Sequence, residues 1–313
     1  MAGKFENLRE DNALFKILSD QEKCPQWWKN LIIDRKDLVI EVRKDNYIDV
    51  YYRGGAIIKE LKYYQGRWSG KIHIAYVPYG NKPPYVNYVF NDLEDPSKPN
   101  FVPYIYEGPK DCFSSGNLKK IKERIGQYFS DGSEKALQSE LLLNHKFFLD
   151  SEFAYSTKDT IKNLKDEEAV AVSSEKFIPG LIRIDLVKLD VEKKRIVFIE
   201  LKRASDNRLS TREIVDQLTA YQDFIKENNG NGKLKNYYKK VFNIKNALNI
   251  LPEGIKNIDM DEYVIESKPV LLVVKEKGEN LSENFEGNLQ DRIKEYAYLK
   301  IIDSTSDKLD PLY

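Results

Sequence analysis

Two apolar segments joined by a short polar turn constrain the fold of this chain more than any other feature. Residues Leu181–Leu189 read LIRIDLVKL, and residues Arg195–Lys202 read RIVFIELK. Short runs that are rich in β-branched residues and bounded by polar residues are typical of strands. The segment Asp190–Lys194 between them is short enough to be a turn, so the sequence predicts two antiparallel neighbouring strands.

Each of these predicted strands contains one carboxylate among apolar residues. With the turn centred between Glu192 and Lys193, Asp185 lies directly opposite Glu200. Lys202 follows Glu200 by two residues, so both side chains point to the same face of their strand. Charges inside apolar strands are costly unless they are paired or bound to a metal. A register slip of one residue would turn one carboxylate to the other face.

This arrangement of charges predicts a particular chemistry. Two carboxylates held about 5 Å apart across neighbouring strands repel each other, and one pKa rises unless a cation lies between them. Mg²⁺ prefers oxygen ligands and usually takes only one or two carboxylates, with waters and phosphate completing its shell. Lys202 would orient or deprotonate a water, or offset charge that develops on a phosphate. The sequence therefore predicts metal-assisted hydrolysis of a phosphodiester.

The remainder of the second half alternates between helical and strand patterns. A Ser-x-x-Glu capping box at Ser210 predicts the start of a helix that runs to about Asn228. The apolar run Pro269–Val274 is typical of a central strand buried on both faces. Helices are also predicted over 117–129, 133–148, 233–251 and 282–295, and a further strand over 168–173. The order of helix, three strands, helix and strand predicts an α/β (α+β) fold with a mixed sheet between helices.

The first half has a different pattern. Strands are predicted at Leu38–Val42, Tyr47–Tyr52, Ala56–Tyr64 and Trp68–Pro78, and the first two form a hairpin. The segment 78–109 is rich in proline and is predicted to be a loop or linker. We therefore predict a separate β-rich domain over 1–112, which selects or regulates the substrate, and a second domain over 113–313.

Composition excludes several classes of protein. The 313 residues contain 50 Lys and Arg against 50 Asp and Glu, so the chain is not a polycationic nucleic-acid coat protein. Two Cys and two His exclude four-thiolate zinc and iron–sulfur sites. The low Cys content favours a reducing cytoplasm, and the N-terminus lacks the apolar region of a signal peptide. The longest apolar run, Val270–Val274, is far shorter than the roughly 20 residues that span a bilayer, so we expect no membrane contact.

The lysines of the segment 233–251 have two interpretations. Lys233, Lys235, Lys239 and Lys240 are interleaved with Tyr237 and Tyr238. Such a basic and aromatic stretch could track a phosphate backbone. A solvated helical face is an equally good explanation of the same pattern.

Two motifs carry a resemblance to a known family. Asp185, then fourteen residues, then Glu200-Leu201-Lys202 resembles the signature of the PD-(D/E)XK nuclease superfamily, with Ile184 in place of the usual proline. The sequence QLTAY from Gln217 to Tyr221 is similar to the Gln-x-x-x-Tyr motif of the RecB-like exonuclease branch. The resemblance covers only the second half of the chain. It implies a restriction-endonuclease-like mixed sheet flanked by helices.

The resemblance also implies roles for individual residues. Asp185, Glu200 and the backbone carbonyl of Leu201 would hold Mg²⁺ or Mn²⁺, and Lys202 would assist the attacking water. Gln217 would contact substrate, with Tyr221 supporting it on the same helical face. The family places a further Glu on the helix before the first strand, for which Glu140 is our choice and Glu134 the alternative. An iron–sulfur cluster, found in the CRISPR-associated members of this branch, is excluded because the thiols are missing.

The resulting prediction is a cytoplasmic, Mg²⁺-dependent nuclease that acts on DNA, in repair or in antiviral defence against foreign DNA. The alternative is a catalytically inactive nuclease-fold module that binds nucleic acid or a partner protein. A third hypothesis is an effector that cleaves only once a regulatory partner binds the β-rich half. A homodimer, the choice between DNA and RNA, and the choice between endonuclease and exonuclease action are left open by the sequence.

Overall fold

The structure is a computed structural model that describes residues 5–33, 35–77, 101–105, 115–128, 133–156, 181–275, 279, 281–305 and 307–313. Within that part of the chain the protein is a mixed α/β protein with two sheets. The predicted class is therefore confirmed at the level of an α+β protein.

The first sheet is an antiparallel meander of five strands in sequential order. Its strands are β1 Val39–Arg43, β2 Tyr47–Tyr52, β3 Gly55–Tyr64, β4 Arg67–His73 and β5 Phe101–Ile105. The predicted hairpin is confirmed, because Arg43 pairs with Tyr47 and Val42 with Ile48. Strand β5 falls within the segment that was predicted as loop, because Phe101, Val102, Pro103 and Ile105 pair with residues of β4. The rest of that segment, 78–100 and 106–109, lies outside the described residues.

Two short helices that the sequence analysis missed precede the first sheet. They are α1 Ala13–Ser19 and α2 Gln26–Ile33. The side chain of Asn12 caps α1 by accepting a 2.9 Å hydrogen bond from the backbone N–H of Leu14. Leu14 and Trp28 are buried in the main core. Both helices are shorter than three turns, so tertiary burial rather than intrinsic propensity stabilises them.

Two predicted helices connect the sheets. They are α3 Ser115–Tyr128 and α4 Glu134–Asn144, and Ser133 caps α4 by accepting from the N–H of Ala136. The turn between β2 and β3 lies against the start of α4. Gly54 in this turn has a φ of +88°, and a Cβ at its position would lie 2.8 Å from the Cβ of Lys135. Only glycine permits both this backbone conformation and this approach.

The second sheet has six strands and contains the two strands with which the sequence analysis began. They are β6 Phe148–Ser156, β7 Leu181–Asp190, β8 Arg195–Arg203, β9 Val264–Ile265, β10 Val270–Val274 and β11 Tyr298–Ile302. The order is β11-β10-β8-β7-β6, and β9 adds to β8. Strand β7 is antiparallel to both β6 and β8, whereas β10 is parallel to β8 and β11, and β9 is parallel to β8. Every residue of β10 is buried, as predicted for a central strand.

The first strand of this sheet differs from the prediction. The sequence analysis predicted a helix to Phe148, but α4 ends at Asn144 and β6 begins at Phe148. The polar residues Asp150, Ser151 and Glu152 interrupt the alternation of apolar and polar residues that would predict a strand. Asp150 and Ser151 are nevertheless buried, because they belong to a polar network inside the protein. The strand predicted at 168–173 lies outside the described residues.

Three helices complete the described part of the second half: α5 Arg212–Asn229, α6 Lys233–Ala247 and α7 Phe285–Ile293. The cap of α5 is Thr211, whose side chain accepts from the N–H of Glu213, and not Ser210 as predicted. The hydroxyl of Ser210 instead donates a 2.7 Å hydrogen bond to the carbonyl of Asn207, which closes the preceding 3₁₀ turn. The extra turn moves the start of the helix by one residue.

The main hydrophobic core contains buried residues from both halves of the chain. The ring of Phe5 stacks on Phe153 of β6 and contacts Tyr237 of α6. A buried ion pair also crosses between the sheets, because Arg43 Nη1 lies 3.0 Å from Asp150 Oδ1. The division into domains at residue 112 therefore stays a prediction. Among the residues that the structure describes, no helix combines the length and apolar character required to cross a membrane.

Candidate active site

The register between β7 and β8 is the predicted one. Leu186 pairs with Ile199 and Asp190 with Arg195, which places Asp185 beside Glu200 at the next step along the strands. The carboxylate of Asp185 turns to the backbone of β8, where its Oδ2 accepts a 2.8 Å hydrogen bond from the N–H of Leu201. The two predicted acidic residues therefore converge at one end of the hairpin.

Glu200 is the most tightly held member of this cluster. Its residue is 0% exposed, and both carboxylate oxygens accept hydrogen bonds. Lys202 Nζ and Gln217 Nε2 donate to Oε1, the latter at 2.6 Å, and the hydroxyl of Tyr221 donates to Oε2 at 2.6 Å. Gln217 and Tyr221 lie four residues apart on α5 and reach Glu200 from the same helical face, as their spacing predicts.

The ammonium group of Lys202 lies at the centre of the cluster. Besides its bond to Glu200, its Nζ donates a 2.9 Å hydrogen bond to the carbonyl of Leu201. It lies 4.0 Å from Asp185 Oδ2 and 3.8 Å from Glu134 Oε2. Burial lowers the pKa of Lys202, but Glu200 and the other two carboxylates outweigh it, so the pKa is raised. The side chain is only 2% exposed and carries its charge in a buried site.

The structure does not bring Glu140 to the cluster. Glu140 is exposed on α4, and its Oε2 accepts a 3.1 Å hydrogen bond from the hydroxyl of Thr305. The alternative, Glu134, is the helix carboxylate that approaches Lys202. The two positions are six residues apart, which is about 240° around a helix, so they point to different surroundings. The site at this helix therefore consists of Glu134 and not of Glu140.

Tyr221, which was expected to support Gln217, lies inside the protein next to Glu200. The residue is 1% exposed, and its hydroxyl is engaged with Glu200. Burial, then the charge of Glu200, raises its pKa well above the usual value, so the phenol stays protonated and acts as a donor. Tyr221 and Gln217 therefore hold Glu200 in place.

Three residues near the cluster were missed by the sequence analysis. Gln138 on α4 donates a 2.7 Å hydrogen bond from Nε2 to the backbone carbonyl of Asp185. Arg208 lies on the 3₁₀ turn Asn207–Ser210, and its Nη2 is 3.6 Å from Glu134 Oε2. Asp206 binds the guanidinium of Arg208. One signal in the sequence could have predicted the turn that carries Arg208. Asp206 lies three residues after β8, and Asp commonly caps helical turns.

The cluster contains more negative than positive charge. Its ionisable members are Glu134, Asp185, Glu200 and Asp206 against Lys202 and Arg208, which gives four negative and two positive charges, or −2, when all are ionised. Burial, followed by the charge of Glu200, raises the pKa of Asp185 well above its usual value. Burial also raises the pKa of Glu134, against the opposing charge of Lys202. Either protons or a further cation can compensate this excess.

The donor atoms of the cluster suit a hard divalent cation. Carboxylate oxygens of Asp185 and Glu200 and the carbonyl oxygen of Leu201 are the ligand type that Mg²⁺ prefers. In this arrangement the ammonium of Lys202 binds two of those three groups, Glu200 and the Leu201 carbonyl. Among the described residues, no group of three or more His, Cys, Asp or Glu is arranged to hold a metal ion. The residues fit the ion chemically, and Lys202 competes with it for the same oxygens.

The lysines of α6 are engaged within the protein. Their partners are Glu6 for Lys233, the Asp261 carbonyl for Lys235, the Asp261 carboxylate for Lys239 and the Leu8 carbonyl for Lys240. Tyr237 and Tyr238 are buried in the core. Of the two interpretations of this segment, the structure therefore favours a structural helix over a phosphate-tracking stripe.

Comparisons of the chain with protein-family models, with curated proteins and with solved structures returned no match.

Proposed function

We propose that this protein is a Mg²⁺-dependent nuclease of the PD-(D/E)XK type that hydrolyses phosphodiester bonds in DNA. The observation that carries the proposal is the convergence of Asp185, Glu200 and Lys202 at one end of two buried strands, with Glu200 held by Gln217 and Tyr221. Among the described elements the order α4, β6, β7, β8, α5, α6, β9 and β10 contains the order of helix, three strands, helix and strand that the resemblance implies. We further expect repair or defence against foreign DNA as its setting.

Asp185, Glu200 and the carbonyl of Leu201 would hold the ion. When bound, Mg²⁺ supplies Lewis-acid polarisation of a phosphoryl oxygen and lowers the pKa of a water. The excess charge of −2 in the cluster supports a divalent cation as the compensating group. Glu134 is the remaining carboxylate near Lys202 and replaces Glu140 in the proposed site.

Neighbouring residues hold the groups of this site in position. Gln217 and Tyr221 fix both oxygens of Glu200, so that the carboxylate needs no reorganisation during the reaction. The raised pKa of Lys202 keeps its ammonium charged, which suits it to stabilise negative charge on phosphate oxygens. Gln138 fixes the backbone at Asp185. Each of these groups is held by secondary structure rather than by loops, which favours precise placement.

The proposal is tested by DNA cleavage in Mg²⁺ or Mn²⁺ with Lys202→Met. The matched control is Lys245→Met, because Lys245 forms a comparable buried pair with Glu41, at 2.5 Å, between α6 and β1. Both changes leave one buried carboxylate without its lysine, so their effects on folding are similar. We expect Lys202→Met to lose at least about a hundredfold in rate, as for removal of a transition-state donor, while folded Lys245→Met retains the wild-type rate. Equal activity of the two variants, or an inert wild type on several DNA and RNA forms, contradicts the proposal.

A catalytically inactive nuclease-fold module is the second candidate. The observation that favours it is the closure of the cluster, in which Lys202 satisfies Glu200 and the Leu201 carbonyl without any metal. Calorimetric titration with Mn²⁺ separates the two candidates. Heat of binding in the wild type that is lost in Asp185→Asn supports the nuclease. Absence of Mn²⁺ binding in the wild type, together with metal-independent DNA binding, supports the module.

The DNA cleavage assay also tests the third hypothesis, in which a regulatory partner activates the protein. An effector that requires activation predicts a silent wild type that cleaves once the partner is present. The β-rich first sheet is the surface on which we expect such a partner to bind.

A further inference from the structure

Arg208 is held by an aspartate two residues away. Its Nε donates to Asp206 Oδ1 at 2.9 Å and to Oδ2 at 3.0 Å, and its Nη2 donates to Oδ2 at 2.5 Å. Asp206 also accepts a 2.8 Å hydrogen bond from the backbone N–H of Arg208. One carboxylate thus fixes both the 3₁₀ turn and the orientation of the guanidinium, which removes most of the side-chain freedom that an exposed arginine has.

The fixed guanidinium lies at the edge of the acidic cluster. Its Nη2 is 3.6 Å from Glu134 Oε2, the same oxygen that lies 3.8 Å from Lys202 Nζ. Arg208 and Lys202 are therefore the two cations that flank Glu134. The hydrogen bonds that Arg208 donates to Asp206 raise the pKa of Arg208 above its usual value, so its guanidinium carries a positive charge.

The two cations differ in how solvent reaches them. The side chain of Lys202 is 2% exposed and binds Glu200, whereas that of Arg208 is 14% exposed and binds Asp206. The carboxylates of the cluster repel an anionic substrate, and a cation near the surface of the cluster reduces that repulsion. A guanidinium is suited to that contact because it carries several N–H donors and a charge that does not depend on pH.

We propose that Arg208, oriented by Asp206, binds a phosphate group of the DNA backbone next to the bond that is cleaved. This inference rests on the proposed nuclease function and adds a substrate-binding residue that neither sequence motif contains. Arg208 gives affinity and position rather than sequence readout, since phosphate contacts are independent of base identity. Asp206 is a positioning residue that acts only through the guanidinium.

The test is the salt dependence of DNA binding, measured by the anisotropy of a short fluorescein-labelled duplex in Ca²⁺ over about 50 to 200 mM salt. The variants are Arg208→Met, Arg208→Lys and Asp206→Asn. The matched control is Arg9→Met, because Arg9 is held by Asp11 with the same spacing, through Nε at 3.0 Å and Nη2 at 2.9 Å, and lies outside the cluster. Both Met variants remove one arginine from an Asp-x-Arg or Arg-x-Asp pair, and so change the net charge equally.

We expect Arg208→Met to reduce the slope of log affinity against log salt by about 0.9, the value for one phosphate contact on duplex DNA, and to weaken binding about tenfold. Arg208→Lys should restore the slope, since the charge returns, but only part of the affinity. Asp206→Asn should keep the slope and raise KM more than it lowers kcat. Arg9→Met should match the wild type in all of these quantities.

Several outcomes overturn the inference. If folded Arg208→Met keeps the wild-type slope while the wild type cleaves DNA, Arg208 only positions Glu134, and the nuclease function stands without it. If Arg208→Met does not fold, an unchanged KM in folded Asp206→Asn has the same meaning. If the wild type neither binds nor cleaves DNA, the proposed function and this inference fail together.

Discussion

The hydroxyl of Tyr221 on α5 donates a 2.6 Å hydrogen bond to Oε2 of Glu200 on β8, and both groups are buried. This bond connects the helix that carries the Gln-x-x-x-Tyr motif to the strand that carries the Glu-x-Lys motif. The two motifs are therefore parts of one site. When a buried carboxylate oxygen loses its donor, no hydrogen bond offsets the unfavourable free energy of its desolvation.

Tyr221→Phe should accordingly destabilise the protein by about 1–3 kcal/mol, because Glu200 Oε2 keeps its burial and loses its donor. The matched control is Tyr238→Phe. The hydroxyl of Tyr238 is also buried, and it has no hydrogen-bond partner in the part of the chain that the structure describes. Removal of that hydroxyl should leave the free energy of unfolding nearly unchanged. Urea denaturation of both variants is the measurement, and equal losses would contradict the role of Tyr221.

The β2–β3 turn should tolerate no side chain at Gly54. Gly54 and Gly66 both have positive φ, at +88° and +81°, so alanine is strained at either position. A Cβ at Gly54 also lies 2.8 Å from Lys135 Cβ, whereas nothing lies within 4 Å of a Cβ at Gly66. We expect Gly54→Ala to cost about 1–3 kcal/mol more than Gly66→Ala. Equal losses in thermal denaturation would mean that the turn and α4 do not pack as described.

A buried carboxylate between the two sheets should make stability depend on pH. Burial and the charge of Glu41 raise the pKa of Asp150 to about 7, although Arg43 and Lys245 lower it. In the unfolded chain an aspartate titrates near 3.9. Between these two values the folded state keeps a proton that the unfolded state has lost, so the contribution of Asp150 to stability is largest below about pH 4 and falls as pH rises to about 7. The size of this component is on the order of 4 kcal/mol.

Asp150→Asn should remove this component. Asparagine keeps an acceptor for Arg43 Nη1 and does not titrate, so the difference in unfolding free energy between wild type and variant should change with pH over that window and be constant above it. Urea denaturation at a series of pH values gives this difference directly, because the contributions of the other titrating groups cancel. A difference that does not vary between about pH 4 and pH 7 would show that Asp150 is ionised throughout.

The hairpin at the centre of the site was predictable from sequence because its signal is local. The alternation of apolar residues and the length of the turn fix the register, and the register alone places Asp185 beside Glu200. The spacing of Gln217 and Tyr221 likewise fixes their common helical face. Local chemistry therefore indicated most of the residues that surround Glu200.

Features that depend on tertiary packing were not predictable in this way. The choice between Glu134 and Glu140 depends on where α4 lies against β8, which no local pattern encodes. The polar residues of β6 conceal a buried strand, because Asp150 is paired with Arg43 from 107 residues away. The position of Arg208 depends on the 3₁₀ turn that displaces the predicted cap from Ser210 to Thr211.

The most direct test of the central claim is Mg²⁺-dependent cleavage of supercoiled and linear DNA by the wild type, Asp185→Asn and Asp190→Asn. The two aspartates lie on the same strand, but Asp190 caps the β7–β8 turn by accepting a 3.0 Å hydrogen bond from the N–H of Lys193. We predict cleavage by the wild type and by Asp190→Asn that chelation with EDTA abolishes, and no cleavage by folded Asp185→Asn. Cleavage that persists in Asp185→Asn or in EDTA, or a wild type without activity on any DNA form, would contradict the account.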